Sequence, residues 1–258
     1  MPNQSLPGWG YLWSEDFRTD VPLGSFPGTA YSANIRVYPS TFYDTSNNIA
    51  ARRDAGTSGQ YNAATVVSVS CGVLRKNLHT VGTRPQVAAV VPYIGGTGKW
   101  PGQLYGRYAI RARFPTAIPG YKIAWLLWPD SGTNTTGSID GIGGNGEIDF
   151  PETKLRSPTT VSGFVHYQNA TVNNDQYSAT NIPVDMTQWH TYEIEWAPTY
   201  VAFLLDGREV GRATQRIPNS PMHWVWQTET EISSTPPPVD VAGTLEIDWA
   251  AIWRYAPQ

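Results

Sequence analysis

Apolar and polar positions alternate along much of this chain, and no long segment carries the period of an amphipathic helix. In residues 105–114, Tyr108, Ile110, Ala112 and Phe114 share one side, while Arg107, Ala109, Arg111 and Arg113 share the other. That alternation predicts a half-buried strand. Residues 191–196 alternate in the same way. Residues 201–212 predict a hairpin turning at Asp206-Gly207. Residues 245–255 put Leu245, Ile247, Trp249, Ala251, Trp253 and Tyr255 on one face. Glycine and proline, 24 and 21 in number, are scattered and cut the chain into many short strands. The pattern predicts an all-β fold of packed sheets, a sandwich or jelly roll. Residues 39–59 and 130–146 are the richest loop-like stretches. No internal repeat or linker appears, so residues 1–258 are read as a single domain.

Composition narrows the function. The net charge of -3 gives no basic footprint for nucleic acid and no polybasic segment for a lipid surface. No run of apolar residues is long enough to span a membrane. The one cysteine, Cys71, excludes an internal disulfide and a multi-cysteine zinc site. The start, Met-Pro-Asn-Gln-Ser, lacks the basic and apolar regions of a signal peptide. The 11 tryptophans and 14 tyrosines suit strands, and they also suit surfaces that bind by stacking.

Residues 146–152, Gly-Glu-Ile-Asp-Phe-Pro-Glu, crowd three acids among apolar neighbours. On a strand, Glu147 and Asp149 share a face, and regular alternation sends Glu152 to the other. One extra residue in a β-bulge brings Glu152 back to the first face. Pro151 supports that bulge, because proline within sheets is confined to edges, strand starts and bulges. A retaining glycosidase needs two carboxyl groups roughly 5–5.5 Å apart. Repulsion among three neighbouring acids keeps a proton on at least one of them. Glu246-Ile247-Asp248 and Glu193-Ile194-Glu195 repeat only the first half of the pattern and read as solvated strand faces. A calcium loop is a poor match, since its acids alternate with Asn or Gly rather than Ile and Phe.

Residues 147–152 resemble the E-[I/L]-D-x-x-E signature of glycoside hydrolase family 16, in the bulged form of its laminarinase-like members. Residues 105–111, 123–129 and 189–196, Asp206-Gly207, and residues 13–17 resemble further family stretches in the expected order. The resemblance covers nearly the whole chain. It implies a concanavalin A-like β-jelly roll of two packed antiparallel sheets, with substrate in a cleft on the concave sheet. It also implies Glu147 as nucleophile, Asp149 as assisting acid and Glu152 as acid/base. Substrate contacts are expected from Arg111, from Trp125 or Trp128 by stacking, and from His166 and Gln227. No cofactor is implied for catalysis. A structural calcium near Glu15 and Asp248 is expected from some members of the family.

The expected reaction is endo-acting hydrolysis of a β-linked polysaccharide with retention, on β-1,3-glucan or mixed β-1,3/1,4-glucan, with galactans next. The expected partner is that polysaccharide alone, with no nucleic acid and no membrane, and the expected state is a monomer. A polymer substrate places the enzyme outside the cell or at the cell wall. The resemblance departs at Ala109, where the family has Glu, and at residues 141–146, where a glycine-rich run replaces the usual tryptophan. Both departures are expected to touch substrate subsites. The same run fits G-x-G-x-x-G, but it leads into a strand where a dinucleotide site needs a helix. The alternatives are a non-catalytic lectin on the same fold, which would lose the acids, and a transglycosylase.

Overall fold

The computed structural model describes residues 1–130, 145–168 and 175–257. The alternating stretches form strands, as their period requires, and the strands collect into two sheets of ten and seven. The seven-stranded sheet runs in the order Gln176–Pro183, Thr160–His166, Glu147–Lys154, Tyr121–Pro129, Met222–Thr230, Ala89–Pro92, Ile35–Val37. Its neighbouring strands are all antiparallel. The ten-stranded sheet is centred on Gly106–Arg113, between His190–Ala197 and Gly243–Tyr255. No helix of the described residues is long and apolar enough to cross a membrane.

One apolar cluster joins the inner faces of both sheets. Ile110, Tyr192, Ile194 and Phe203 enter it from the ten-stranded sheet, and Trp125, Leu127, Ile148, Phe150 and Trp226 from the seven-stranded one. The strand Gly106–Arg113 follows its predicted alternation: Tyr108, Ile110 and Ala112 are buried, and Arg107, Arg111 and Arg113 are half-buried. The hairpin turns where expected, with Asp206 and Gly207 at φ of 51° and 76°.

The last strand departs from the prediction. Its register slips between Ile247 and Trp249, and the bulge exchanges the two faces. Leu245 and Ile247 face the main core, and beyond the bulge Ala250 and Ile252 do so. Ala251 and Trp253 instead join a second, smaller cluster with Trp9, Ala109 and Ala197. The stretch 39–59 is also more ordered than a loop. It holds a 3-10 turn, Thr45–Asn48, and a short helix, Ala50–Asp54. Asp44 ties it to the seven-stranded sheet by accepting bonds from Thr230 N (2.7 Å) and Thr230 Oγ1 (2.8 Å).

The two acidic repeats lie on the far side of the ten-stranded sheet and are ion-paired rather than simply solvated. Arg107 binds Glu193 at 2.5 Å and Glu195 at 2.8 Å. Arg75 and Arg113 both bind Glu246, and Arg111 binds Asp248.

Candidate active site

Strand parity decides what reaches the exposed face of the seven-stranded sheet. On Tyr121–Pro129, Ile123, Trp125 and Leu127 point into the core, so Lys122, Ala124, Leu126 and Trp128 point outward. On Glu147–Lys154, Ile148 and Phe150 point inward and Glu147 and Asp149 outward. The register then shifts between Asp149 and Glu152 against both flanking strands. Phe150-Pro151 fills the bulge, as the proline suggested, and Glu152 returns to the same face as the other two acids. A single cleft of about 470 Å³ is lined by Glu147, Asp149, Glu152, Trp128, His166 and Gln227, among others.

One side-chain oxygen or nitrogen from each of Glu147, Asp149 and His166 lies within 4.8 Å of the other two. His166 Nε2 is 3.2 Å from Asp149 Oδ2, and Asp149 is nearly inaccessible. That approach sets the His166 ring beside Asp149, whose buried Oδ2 has no hydrogen-bond partner among the described residues. Among the described residues no other three acidic or imidazole groups converge in this way.

Burial raises the Glu152 carboxyl above the ordinary carboxylate range, the Lys122 ammonium opposes that rise, and Asp149 and Glu229 add to it. The net direction is upward, which suits a proton donor. Lys122 itself lies 2.9 Å from Glu152 Oε1 and 3.5 Å from Glu229 Oε2. Its burial disfavours the charge, and Glu152 and Glu229 more than offset that, so it stays protonated.

A wall built from residues 38–61 closes one side of the cleft with Tyr38, Phe42, Asp44, Thr45 and Tyr61. Burial and neighbouring Glu229 push the Asp44 carboxyl up to about 6, against its bonds from Ser46 and Thr230. The aromatic rings form a group: Tyr38 lies 5.0 Å from Trp100 and 5.4 Å from Tyr61, centroid to centroid.

Sequence reasoning missed Lys122, Glu229 and this wall. The signal for Lys122 was present, since a lysine inside the apolar run Tyr-Lys-Ile-Ala-Trp-Leu-Leu-Trp needs a buried partner. Glu229 falls directly opposite it in the register.

Two predicted substrate contacts are not in the cleft. Arg111 opposes Ile110, as expected, but its strand belongs to the other sheet. Its guanidinium pairs with Asp248 and sits 5.1 Å from the Trp189 ring centroid. Trp125 is fully buried between Phe114 and Tyr192. Trp128, one position off that parity, does reach the cleft. Ala109 lies in the small outer cluster, so the family's missing glutamate there does not touch this cleft. The glycine-rich run falls in residues 141–144, outside the described residues, apart from its end at Asn145 and Gly146.

The two residues expected near a calcium ion, Glu15 and Asp248, have partners of their own. Asp248 is already held by Arg111, and Glu15 Oε1 accepts from the amides of Asp16 (3.0 Å) and Phe17 (3.1 Å). The Arg111 guanidinium repels a cation at Asp248, so Asp248 as arranged is a poor calcium ligand.

A two-sheet jelly roll with a row of carboxyl groups on one exposed face defines the class of this protein, and the comparisons agree. Residues 101–251 match the family described as "Glycosyl hydrolases family 16", and the chain belongs to it. A beta-glucanase of Rhodothermus marinus is 34% identical over 113 residues, 43% of this chain and 37% of that protein. A glucan endo-1,3-beta-glucosidase A1 of Niallia circulans is 25% identical over 171 residues, 58% of this chain and 24% of that protein. The chain thus matches well under two thirds of either relative's length. The solved laminarinase of Rhodothermus marinus shares the fold with a TM-score of 0.70 at 23% identity, covering 97% of this chain and 99% of that one.

Proposed function

We propose that the protein is a retaining, endo-acting β-glucanase. The observation that carries this reading is the bulge between Asp149 and Glu152, which turns three carboxyl groups onto one face of the cleft. The named relatives, a beta-glucanase and a glucan endo-1,3-beta-glucosidase, support β-1,3-glucan or mixed β-1,3/1,4-glucan as substrate.

In this scheme Glu152 gives its proton to the glycosidic oxygen while the Glu147 carboxylate attacks the anomeric carbon. The bond to the departing chain breaks, and a glycosyl-enzyme ester forms on Glu147. Water then loses a proton to Glu152 and attacks the same carbon. The ester bond breaks, the Glu147 carboxylate is restored, and the configuration is retained. Asp149, with His166 beside it, gives Glu147 an acidic neighbour. No cofactor takes part.

Endo action draws support from a second cavity that shares Lys122, Glu152 and Ile232 with the cleft and continues to Ser162, Phe164 and Asn181. A chain held on both sides of Glu152 is cut internally. Trp128 offers a stacking surface, and Gln227 a polar contact. Since such polymers do not cross membranes, an extracellular or cell-wall site of action follows.

The test is reducing-sugar release from a panel of β-glucans and β-galactans, with the anomer of the first product read by NMR. Release from a β-glucan with retained configuration, abolished in Glu147→Gln, is expected. Release from a galactan alone would move the substrate. Binding without release would favour a lectin.

A further inference from the structure

We propose that Lys122 is a positioning residue for the acid/base, its ammonium moving between Glu152 and Glu229 as Glu152 gives up and regains its proton. The proposal rests on the reading of Glu152 as acid/base.

The geometry builds this triad across three adjacent strands. Glu229, on Met222–Thr230, lies directly opposite Lys122 in the register. On the other side the register pairs Glu152 with Ala124, two residues along from Lys122 on the same face. Only the bulge turns Glu152 toward that ammonium. The Lys122 and Glu229 side chains are both buried, at 10% and 2% exposure, so neither is served by bulk water. Glu229 is anchored from behind, because its Oε1 accepts from Thr45 N (3.0 Å), Thr45 Oγ1 (2.7 Å) and Tyr61 OH (3.2 Å). Its Oε2 remains toward Lys122. The lysine therefore has one fixed anion and one whose charge changes during the reaction.

When Glu152 protonates the leaving oxygen it becomes a half-buried carboxylate, and Lys122 at 2.9 Å is its counter-ion. When water returns the proton, Glu152 is neutral, and Glu229 draws the ammonium back. Lys122 transfers no proton itself. A neutral residue in its place would leave a bare carboxylate beside Asp149 in the glycosyl-enzyme.

Other groups facing Glu152 set the background. Asp149 is on its own strand, with His166 against it. Ser162 is opposite Glu152 in the register. Asp44 and Tyr38 line the same cleft. Lys154 and Arg156 are turned to Glu231, so Lys122 is the cation that binds Glu152 among the described residues.

The test compares the pH profile of kcat/KM in wild type, Lys122→Met, Lys122→Arg and Glu229→Gln. The basic limb reports loss of the Glu152 proton. Removing the cation is expected to move that limb to higher pH, by about one unit or more, and to lower kcat. Arginine is expected to return it toward wild type. Glu229→Gln keeps the acceptor for Thr45 and Tyr61 but removes the competing charge, so the limb is expected to move to lower pH. Opposite displacements in the two variants are not a consequence of general loosening. Parallel displacements, or none, would overturn the proposal. A ¹³C carboxyl titration of Glu152 without substrate, assigned with Glu152→Gln, reads the same displacements directly. If no polymer is hydrolysed the catalytic reading fails, whereas an unmoved Glu152 titration in Lys122→Met sinks the role of Lys122.

Discussion

Trp125 and Trp128 sit on one strand and face opposite ways, and that difference of parity separates a core residue from a cleft residue. Trp125 has no exposed surface and packs against Phe114 and Tyr192. Trp128 is half-buried and lines the cleft. Trp125→Ala is therefore expected to cost about 3–5 kcal/mol of stability, as large core truncations do. Trp128→Ala is expected to leave the melting temperature nearly unchanged and to raise KM about two- to tenfold, the worth of one stacking contact. Calorimetry and steady-state kinetics on both variants check this. A large stability loss in Trp128→Ala with unchanged KM would mean that the assignment is reversed. Which of the two would meet sugar was open in the sequence. A strand buried on both faces carries apolar residues at every position, so composition does not reveal the face.

The element that matters most is the strand Glu147–Lys154 with its bulge. Here the sequence was legible, because a proline between two acids signals where the ladder breaks. The entry to the strand is equally constrained. Gly146 has φ of 80°, and a Cβ there would come within 2.7 Å of His166 O and 2.8 Å of the Pro218 ring. The first of these belongs to the residue that pairs with Glu147 at the start of the strand. Gly146→Ala is expected to lower stability by more than about 1 kcal/mol. Because Glu147 is the next residue, kcat is expected to fall as well. Thermal unfolding together with turnover reads both, and an unchanged kcat would show that the strand start tolerates the displacement. The last strand shows the opposite case. Its bulge between Ile247 and Trp249 carries no proline, and the even run of apolar residues there concealed the exchange of faces.

Across the whole molecule, the two sheets divide the work. The seven-stranded sheet carries the cleft, and the ten-stranded sheet turns a lattice of arginine–carboxylate pairs outward. Arg111 belongs to that lattice, with 38% of its side chain exposed. Exposed pairs contribute little, so Arg111→Ala is expected to change stability by less than about 1 kcal/mol and kcat/KM by less than about twofold. A tenfold loss of kcat/KM with an unaltered melting temperature would return Arg111 to substrate binding. The second apolar cluster, with Trp9, Ala109 and Trp253, covers part of the same outer face. It explains why residues of both parities on these strands are apolar.

The sequence by itself determined the strand period, the Asp206-Gly207 turn, the placement of Glu147, Asp149 and Glu152 on one face, and the family resemblance. These depend on neighbours within a few residues, where backbone geometry alone sets direction. The tertiary structure decided which sheet each strand joined, and so whether Arg111 or Trp125 met the cleft or something else. It also paired Lys122 with Glu152 and Glu229, residues far apart along the chain. Alternation states which side chains share a face, but a face acquires its meaning only from the sheet or solvent packed against it.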